Sequence, residues 1–146
     1  MTLVMCDRVP SSASGETVSA FVADPMSPRS SSLVMVVDDD DSSREVMRFL
    51  LDEEGYRVVA FDSPASALAT LPAPDEDVGV LLTDVHLPGM SGPELAGHVR
   101  ALYPDVRVAF VTGDLEPPRG VDGAFIQKPV DLEEIIRFVE LSLRRA

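Results

Sequence analysis

From residue 33 onward, short runs of strand-forming residues alternate with segments of helical spacing. This alternation constrains the chain more than any other feature, because it is the signature of βαβ units and of a parallel sheet covered by helices on both faces. The predicted strands are Leu33–Asp38, Tyr56–Phe61, Val78–Asp84, Val106–Thr112 and Ala124–Lys128. The first, third and fourth are almost continuously apolar, as strands buried on both faces must be, which places them in the sheet interior. The expected fold class is therefore α/β, a doubly wound five-stranded parallel sheet.

Helix starts between the strands carry local signals. Ser42 with Glu45, Ser91 with Glu94 and Asp131 with Glu134 have the spacing of a capping box, and Ser63 followed by Pro64 is a further start. In the last segment Leu132, Ile135, Ile136, Val139 and Leu143 recur at helical spacing and form one apolar stripe.

Residues 1–32 differ from the rest. They hold eight serines and three prolines with no sustained apolar period, so a disordered tail is expected before a single domain over residues 33–146. The lone cysteine, Cys6, falls in that tail, which leaves no disulfide framework or thiolate metal cluster. Twenty-five acidic against twelve basic residues give a net charge of −13, and this opposes contact with nucleic acid or an anionic membrane. No apolar run approaches the roughly 18 residues of a membrane span, and no signal peptide is recognisable, so a cytoplasmic location is expected.

In an open parallel sheet, ligands bind outside the carboxyl ends of the strands where the winding direction reverses. That rule singles out Asp38 and Asp39 after the first strand, Asp84 after the third, Thr112 at the end of the fourth and Lys128 at the end of the fifth. Three carboxylates crowded on one rim repel one another and call for a cation, and hard oxygen ligands favour Mg2+, which readily accepts phosphate oxygens as further ligands. Lys128 is the only lysine of the chain. Its ammonium suits one phosphoryl oxygen, and the Thr112 hydroxyl suits another. A carboxylate beside a metal can act as the nucleophile that takes up a phosphoryl group.

The stretches 34–45 (VMVVDDDDSSRE), 81–92 (LLTDVHLPGMSG), 111–113 (VTG) and 125–129 (FIQKP) together resemble the receiver domain of two-component response regulators. The resemblance spans residues 33–146 and rests on the order and spacing of all four segments. It implies the flavodoxin-like strand order 2-1-3-4-5, an order that the likeness to the family supplies and the spacing of the strands does not. It also implies that Asp84 is phosphorylated by a sensor histidine kinase or a histidine phosphotransfer protein. Mg2+ or Mn2+ would be held by Asp39 directly, by Asp38 mainly through water, by Asp84 and by the backbone carbonyl of His86. Thr112 and Phe125 match the switch pair, Lys128 the phosphate-pairing lysine, and Pro129 a proline often preceded by a cis peptide bond. Such a domain is not an enzyme in its own right; it catalyses only its own phosphorylation and dephosphorylation.

One stretch departs from that pattern. Only fifteen residues separate Thr112 from Lys128, and Gly113, Pro117, Pro118, Gly120 and Gly123 interrupt them. The fourth helix of the family is therefore expected to be missing or reduced to a loop. The face that this helix would share with the fifth strand and last helix is a common dimer and output surface, so no symmetric dimer is expected there. The sequence closes directly after its last helix, so no attached output domain is expected; output is expected to pass through another protein, or the domain to serve as a relay or phosphate sink.

Other readings compete for the same residues. Taken singly, Thr112 is an ordinary β-branched strand residue, Phe125 a core aromatic, and Asp40 and Asp41 part of a solvated acidic loop. His86 and Asp114, each two residues past a site residue, could tune hydrolysis, whereas His98 is read as structural. A calcium loop is disfavoured because Ser43 stands where the EF-hand glycine belongs. At the level of function, the alternatives are a pseudo-receiver that binds partners without phosphorylation and a haloacid-dehalogenase-like phosphatase using Asp38-Asp39-Asp40-Asp41-Ser42.

Overall fold

The computed structural model describes residues 32–71, 77–116 and 119–143. Its elements run β1 (Leu33–Val37), α1 (Asp41–Glu53), β2 (Arg57–Phe61), α2 (Pro64–Ala69), β3 (Val78–Thr83), α3 (Gly92–Leu102), β4 (Arg107–Thr112), β5 (Ala124–Gln127) and α4 (Leu132–Leu143). All five strands are parallel and lie in the order β2-β1-β3-β4-β5, which is the 2-1-3-4-5 topology. Each strand ends within a residue of its expected limit. The region expected to be a disordered tail falls, up to residue 31, outside the described residues.

Side chains of one strand alternate between two cores. Val34 and Val36 of β1 join Met47 and Leu51 of α1 and Ile135 and Val139 of α4. Met35 and Val37 join Ala67 of α2 and Leu95, Ala96 and Val99 of α3. Helices thus cover both faces, α1 with α4 and α2 with α3, which is the doubly wound arrangement. Burial of each large aliphatic side chain contributes about 1.5–3 kcal/mol, so the interior strands carry much of the stability. Every residue of β1 is buried, whereas the edge strand β2 is half-buried throughout.

Local signals place most of the helix starts. Ser63 caps α2 with Pro64 in its first turn, and Ser91 with Glu94 forms a complete capping box on α3. Asp131 accepts hydrogen bonds from the backbone N–H groups of Glu133 and Glu134 at the start of α4. The start of α1 differs from expectation. Its N-cap is Asp40, whose carboxylate accepts from Ser43 N and Ser43 Oγ, and not Ser42. In the apolar stripe of α4, Ile135 and Val139 are buried, but Leu132 is exposed.

Between β4 and β5 there is no helix among the described residues. The described residues between Thr112 and Ala124 form turns, bends and irregular backbone, with positive φ at Gly120 and Gly123. The shortened fourth-helix region is therefore a loop, as the glycine and proline spacing requires.

Candidate functional site

β1 and β3 are neighbours, and their following connections lead to opposite sides of the sheet. The crevice beyond their carboxyl ends is the switch point of the topology, and the acidic residues lie there. Asp38 follows β1 and is fully buried; Asp39 beside it is exposed. Asp84 follows β3 and is nearly buried, its backbone N–H still bonded to the Val37 carbonyl. One carboxylate oxygen from each of Asp38, Asp39 and Asp84 lies within 4.8 Å of the others. The strand-end rule gathers these three residues on one rim, and the fold brings them together.

Lys128, half-buried just past β5, directs its ammonium at the same point. Nζ lies 3.0 Å from Asp84 Oδ2 and 3.1 Å from Asp38 Oδ2. The other oxygen of Asp84, Oδ1, accepts from the backbone N–H of His86 at 3.2 Å. Burial alone would lower the pKa of the lysine, but the hydrogen bond to Asp84 and the negative charges of Asp84 and Asp38 outweigh it and the pKa is raised. The ammonium is held charged between two carboxylates. The peptide bond from Lys128 to Pro129 is cis.

Asp38 is the least comfortable group on the rim. Its Oδ1 accepts from Asp40 N at 2.9 Å, but its buried Oδ2 makes no well-directed hydrogen bond; the nearby Lys128 ammonium is an ion-pair contact only. Burial raises its pKa, the hydrogen bond from Asp40 N and the Lys128 ammonium act against this, and the charge of Asp84 adds to it. A buried carboxylate oxygen with an unfilled bond, facing two further carboxylates, is the donor set expected of a hard divalent cation. The residues present fit such an ion.

Two glycines fix the loops that carry these groups. Gly92 opens α3, and its N–H donates to the Val85 carbonyl at 2.8 Å. A Cβ on Gly92 would lie 2.0 Å from the Asp84 carbonyl oxygen, so only glycine lets the helix start this close to the acidic strand end. Gly89 turns the same loop with a φ of 83°.

Thr112 is buried at the end of β4, and its Oγ1 accepts from Asp114 N at 3.2 Å. Its carbonyl accepts from Lys128 N at 2.7 Å, which joins the ends of β4 and β5 at the rim. Phe125 is half-buried and stacks on Phe110, with ring centroids 5.3 Å apart. His86 Nε2 and Asp114 Oδ2 are 2.7 Å apart and both exposed, so they link the loop after β3 to the loop after β4. His98 lies within α3, away from these contacts.

The acidic run proves to be divided in function. Asp38 and Asp39 face the rim, Asp40 caps α1, and Asp41 pairs with Arg44. Arg44 also donates to the Asp38 carbonyl at 2.8 Å. Neither Arg44 nor Gly92 stands out in the sequence as part of the site. Both lie inside stretches that carry the family resemblance, Arg44 in 34–45 and Gly92 in 81–92, but nothing in their spacing assigns them a role at the site.

A five-stranded doubly wound sheet with an aspartate cluster and a lysine at its switch point defines a class of flavodoxin-like α/β domains with an acidic strand-end site. Comparison with known proteins makes the assignment specific. Residues 34–140 match the family described as response regulator receiver domain, and the chain belongs to that family, the receiver domains of two-component response regulators. It is 34% identical over 110 residues to the response regulator receiver protein CpdR of Brucella abortus, a match covering 68% of this chain and 88% of that protein. It is 31% identical over 119 residues to the transcriptional regulatory protein FixJ of Bradyrhizobium diazoefficiens, covering 77% of this chain but 57% of the relative. A CheY-like receiver domain protein from Methanospirillum hungatei superposes with a TM-score of 0.68 at 28% identity, over 77% of this chain and 94% of that structure. None of the described helices is long and apolar enough to cross a membrane.

Proposed function

We propose that the domain accepts a phosphoryl group on Asp84 from a phosphohistidine of a sensor histidine kinase or phosphotransfer protein. The observation that carries this reading is the placement of Asp84 Oδ2 at 3.0 Å from Lys128 Nζ, beside the Asp38 and Asp39 carboxylates. A carboxylate oxygen of Asp84 attacks phosphorus, the P–N bond to the donor imidazole breaks, and the imidazole leaves with a proton. The product is an acyl phosphate on Asp84. Lys128 neutralises negative charge on the transferred group, and the Thr112 hydroxyl offers a further donor at the rim.

Asp38, Asp39, Asp84 and the carbonyl of His86 would hold Mg2+ or Mn2+, which when bound supplies positive charge to the phosphoryl oxygens. Phosphorylation would be relayed through Thr112 and Phe125. The ring of Phe125 lies over that of Phe110, half-buried and so able to report a change at Thr112 on the next strand. The domain acts as a signalling module that works in the cytoplasm, through protein contacts and without touching nucleic acid or membrane.

A donor protein has to reach Asp84 from the rim, and exposed apolar residues lie beside it. Val46 and Phe49 on α1 and Leu132 at the start of α4 are all exposed, and a groove of about 320 Å³ runs between Val46 and Leu132 along Ser42, Ser43, Lys128 and Pro129. These side chains suit the docking of a helical partner.

The decisive experiment is incubation of the whole chain with Mg2+ and acetyl phosphate, read by intact mass and by mapping of the modified residue. One phosphate on Asp84, absent from Asp84→Asn and lost on removal of the metal, is the expected result. No adduct under any metal would favour the pseudo-receiver, and turnover of many phosphate esters would favour the phosphatase.

A further inference from the structure

Asp38 is held from three sides. Its backbone N–H donates to the Phe61 carbonyl of β2 at 3.1 Å, and its Oδ1 accepts from Asp40 N. Its carbonyl lies just past the end of β1, which closes at Val37. That carbonyl is taken instead by Arg44, whose Nη1 donates at 2.8 Å while its Nη2 binds the Asp41 carboxylate. The Arg44 side chain is largely covered, with 15% of its surface exposed. Only the Asp38 Oδ2 atom is left without a directed partner, and it faces the acidic rim.

Arg44 could serve the site in two physically distinct ways. As a charge, it would soften the repulsion among Asp38, Asp39, Asp40 and Asp41 in the ion-free protein. As a clamp, its planar fork would tie the first turn of α1 to the peptide of Asp38 and so fix where the carboxylates of Asp38 and Asp39 point. The geometry favours the clamp, because one arm of the fork is spent on a neutral carbonyl oxygen, where charge compensation gains little. Lys128 already supplies the counter-charge at Asp38 Oδ2.

We infer that Arg44 is a positioning residue that preassembles the cation site by bracing the Asp38 peptide against α1. This rests on the proposal that the acidic rim binds a divalent cation. The two roles of Arg44 predict opposite signs for one measurement. Removing a nearby positive charge makes the rim more negative and tightens binding of a cation. Removing a clamp loosens ligands that were held in place, and loss of such outer-shell support weakens metal affinity by about tenfold or more.

The test is calorimetric titration of Mg2+ into the metal-free full chain, alongside amide NMR spectra of the same samples. Arg44→Ala is expected to bind Mg2+ about tenfold more weakly than the unaltered chain and, before any metal is added, to shift the amide resonances of Asp38, Asp39 and Asp40. Arg44→Gln, neutral but able to donate to the carbonyl, is expected to bind more tightly than Arg44→Ala. Affinity in Arg44→Ala equal to or above that of the unaltered chain overturns the inference and leaves Arg44 as a charge. If Arg44→Ala fails to fold, Arg44→Gln and Arg44→Lys decide: binding tighter for the neutral Gln variant than for the unaltered chain overturns the clamp, and weaker binding by both supports it. Failure of the unaltered chain to bind Mg2+ would instead remove the cation proposal on which the clamp depends.

Discussion

The loops that follow β1 and β3 and the connection from β4 to β5 are built to different standards. In the first pair, Asp38 and Val85 are buried and Asp84 nearly so, and Gly92 brings α3 into contact with the backbone of Asp84. Between β4 and β5, no described residue from Gly113 to Gly123 is buried, and Leu115 is 88% exposed. That connection is fastened by single bonds, such as Arg100 Nη2 to the Asp122 carbonyl and Gln127 Nε2 to the Asp114 carbonyl. The contrast teaches that the chain packs its loops closely where the acidic rim needs fixed atoms and leaves an exposed, sparsely bonded connection between β4 and β5.

Glycine substitutions break this comparison most directly. In Gly92→Ala the new methyl would stand 2.0 Å from the Asp84 carbonyl oxygen, a clash with backbone that cannot rotate away. A loss of about 3 kcal/mol is expected, read as a lowered midpoint in urea unfolding, together with slower phosphorylation by acetyl phosphate. Gly113→Ala meets nothing within 4 Å, so it should stay within about 0.5 kcal/mol of the unaltered chain. Equal effects at the two positions would erase the distinction between the loops.

The second consequence concerns assembly. With no helix between β4 and β5 among the described residues, the face of β5 and α4 lacks one of the elements that would build a symmetric interface. Sedimentation of the chain at tens of micromolar should therefore be unchanged by Mg2+ with acetyl phosphate, under conditions where intact mass shows Asp84 modified. A phosphorylation-dependent dimer whose contacts map to β5 and α4 would sink this expectation and make the shortened connection compatible with ordinary output.

His86 and Asp114 are the one side-chain link between the two regions among the described hydrogen bonds. Both are exposed, and even a fully charged pair at so exposed a site is worth at most about 1 kcal/mol. Cutting it with His86→Ala is expected to change the lifetime of the acyl phosphate by about threefold while leaving its formation intact. An unchanged decay rate, followed by intact mass after removal of the donor, would leave the pair as surface decoration.

Much of this molecule is legible in its sequence because burial on both faces writes a strand as a continuous apolar run, as in Val34–Val37 and Val108–Val111. The site residues are legible because topology puts strand ends together, whatever the details of packing. Distances across the fold are not. Four consecutive aspartates look alike in sequence, yet one is buried, one faces the rim exposed, one caps α1 and one pairs with Arg44. The α1 cap falls at Asp40 and not at Ser42 because a carboxylate caps as well as a hydroxyl, so the local pattern admits several starts. Gly92 and Arg44 matter through contacts with Asp84 and Asp38 that no spacing rule encodes.

A last test probes how the loop after β3 is finished at its far end. Ser91 Oγ accepts from Glu94 N, and the Glu94 carboxylate accepts from Ser91 N at 3.0 Å, closing the capping box on α3. Ser91→Ala should cost about 1 kcal/mol in thermal or urea unfolding. The box also has a pH signature, because the hydrogen bonds from Ser91 hold the Glu94 carboxyl below its usual value of 4.5. A carboxyl whose pKa is lowered by folding adds stability that is present above the unfolded value and is lost as pH falls through the folded one. The unaltered chain should therefore gain stability relative to Glu94→Gln on going from below pH 4.5 to neutrality, and the gap should close again in acid. A gap that does not change with pH would mean that the carboxylate charge adds nothing to the cap, and that the loop after β3 is held by Gly92 and Asp84 alone.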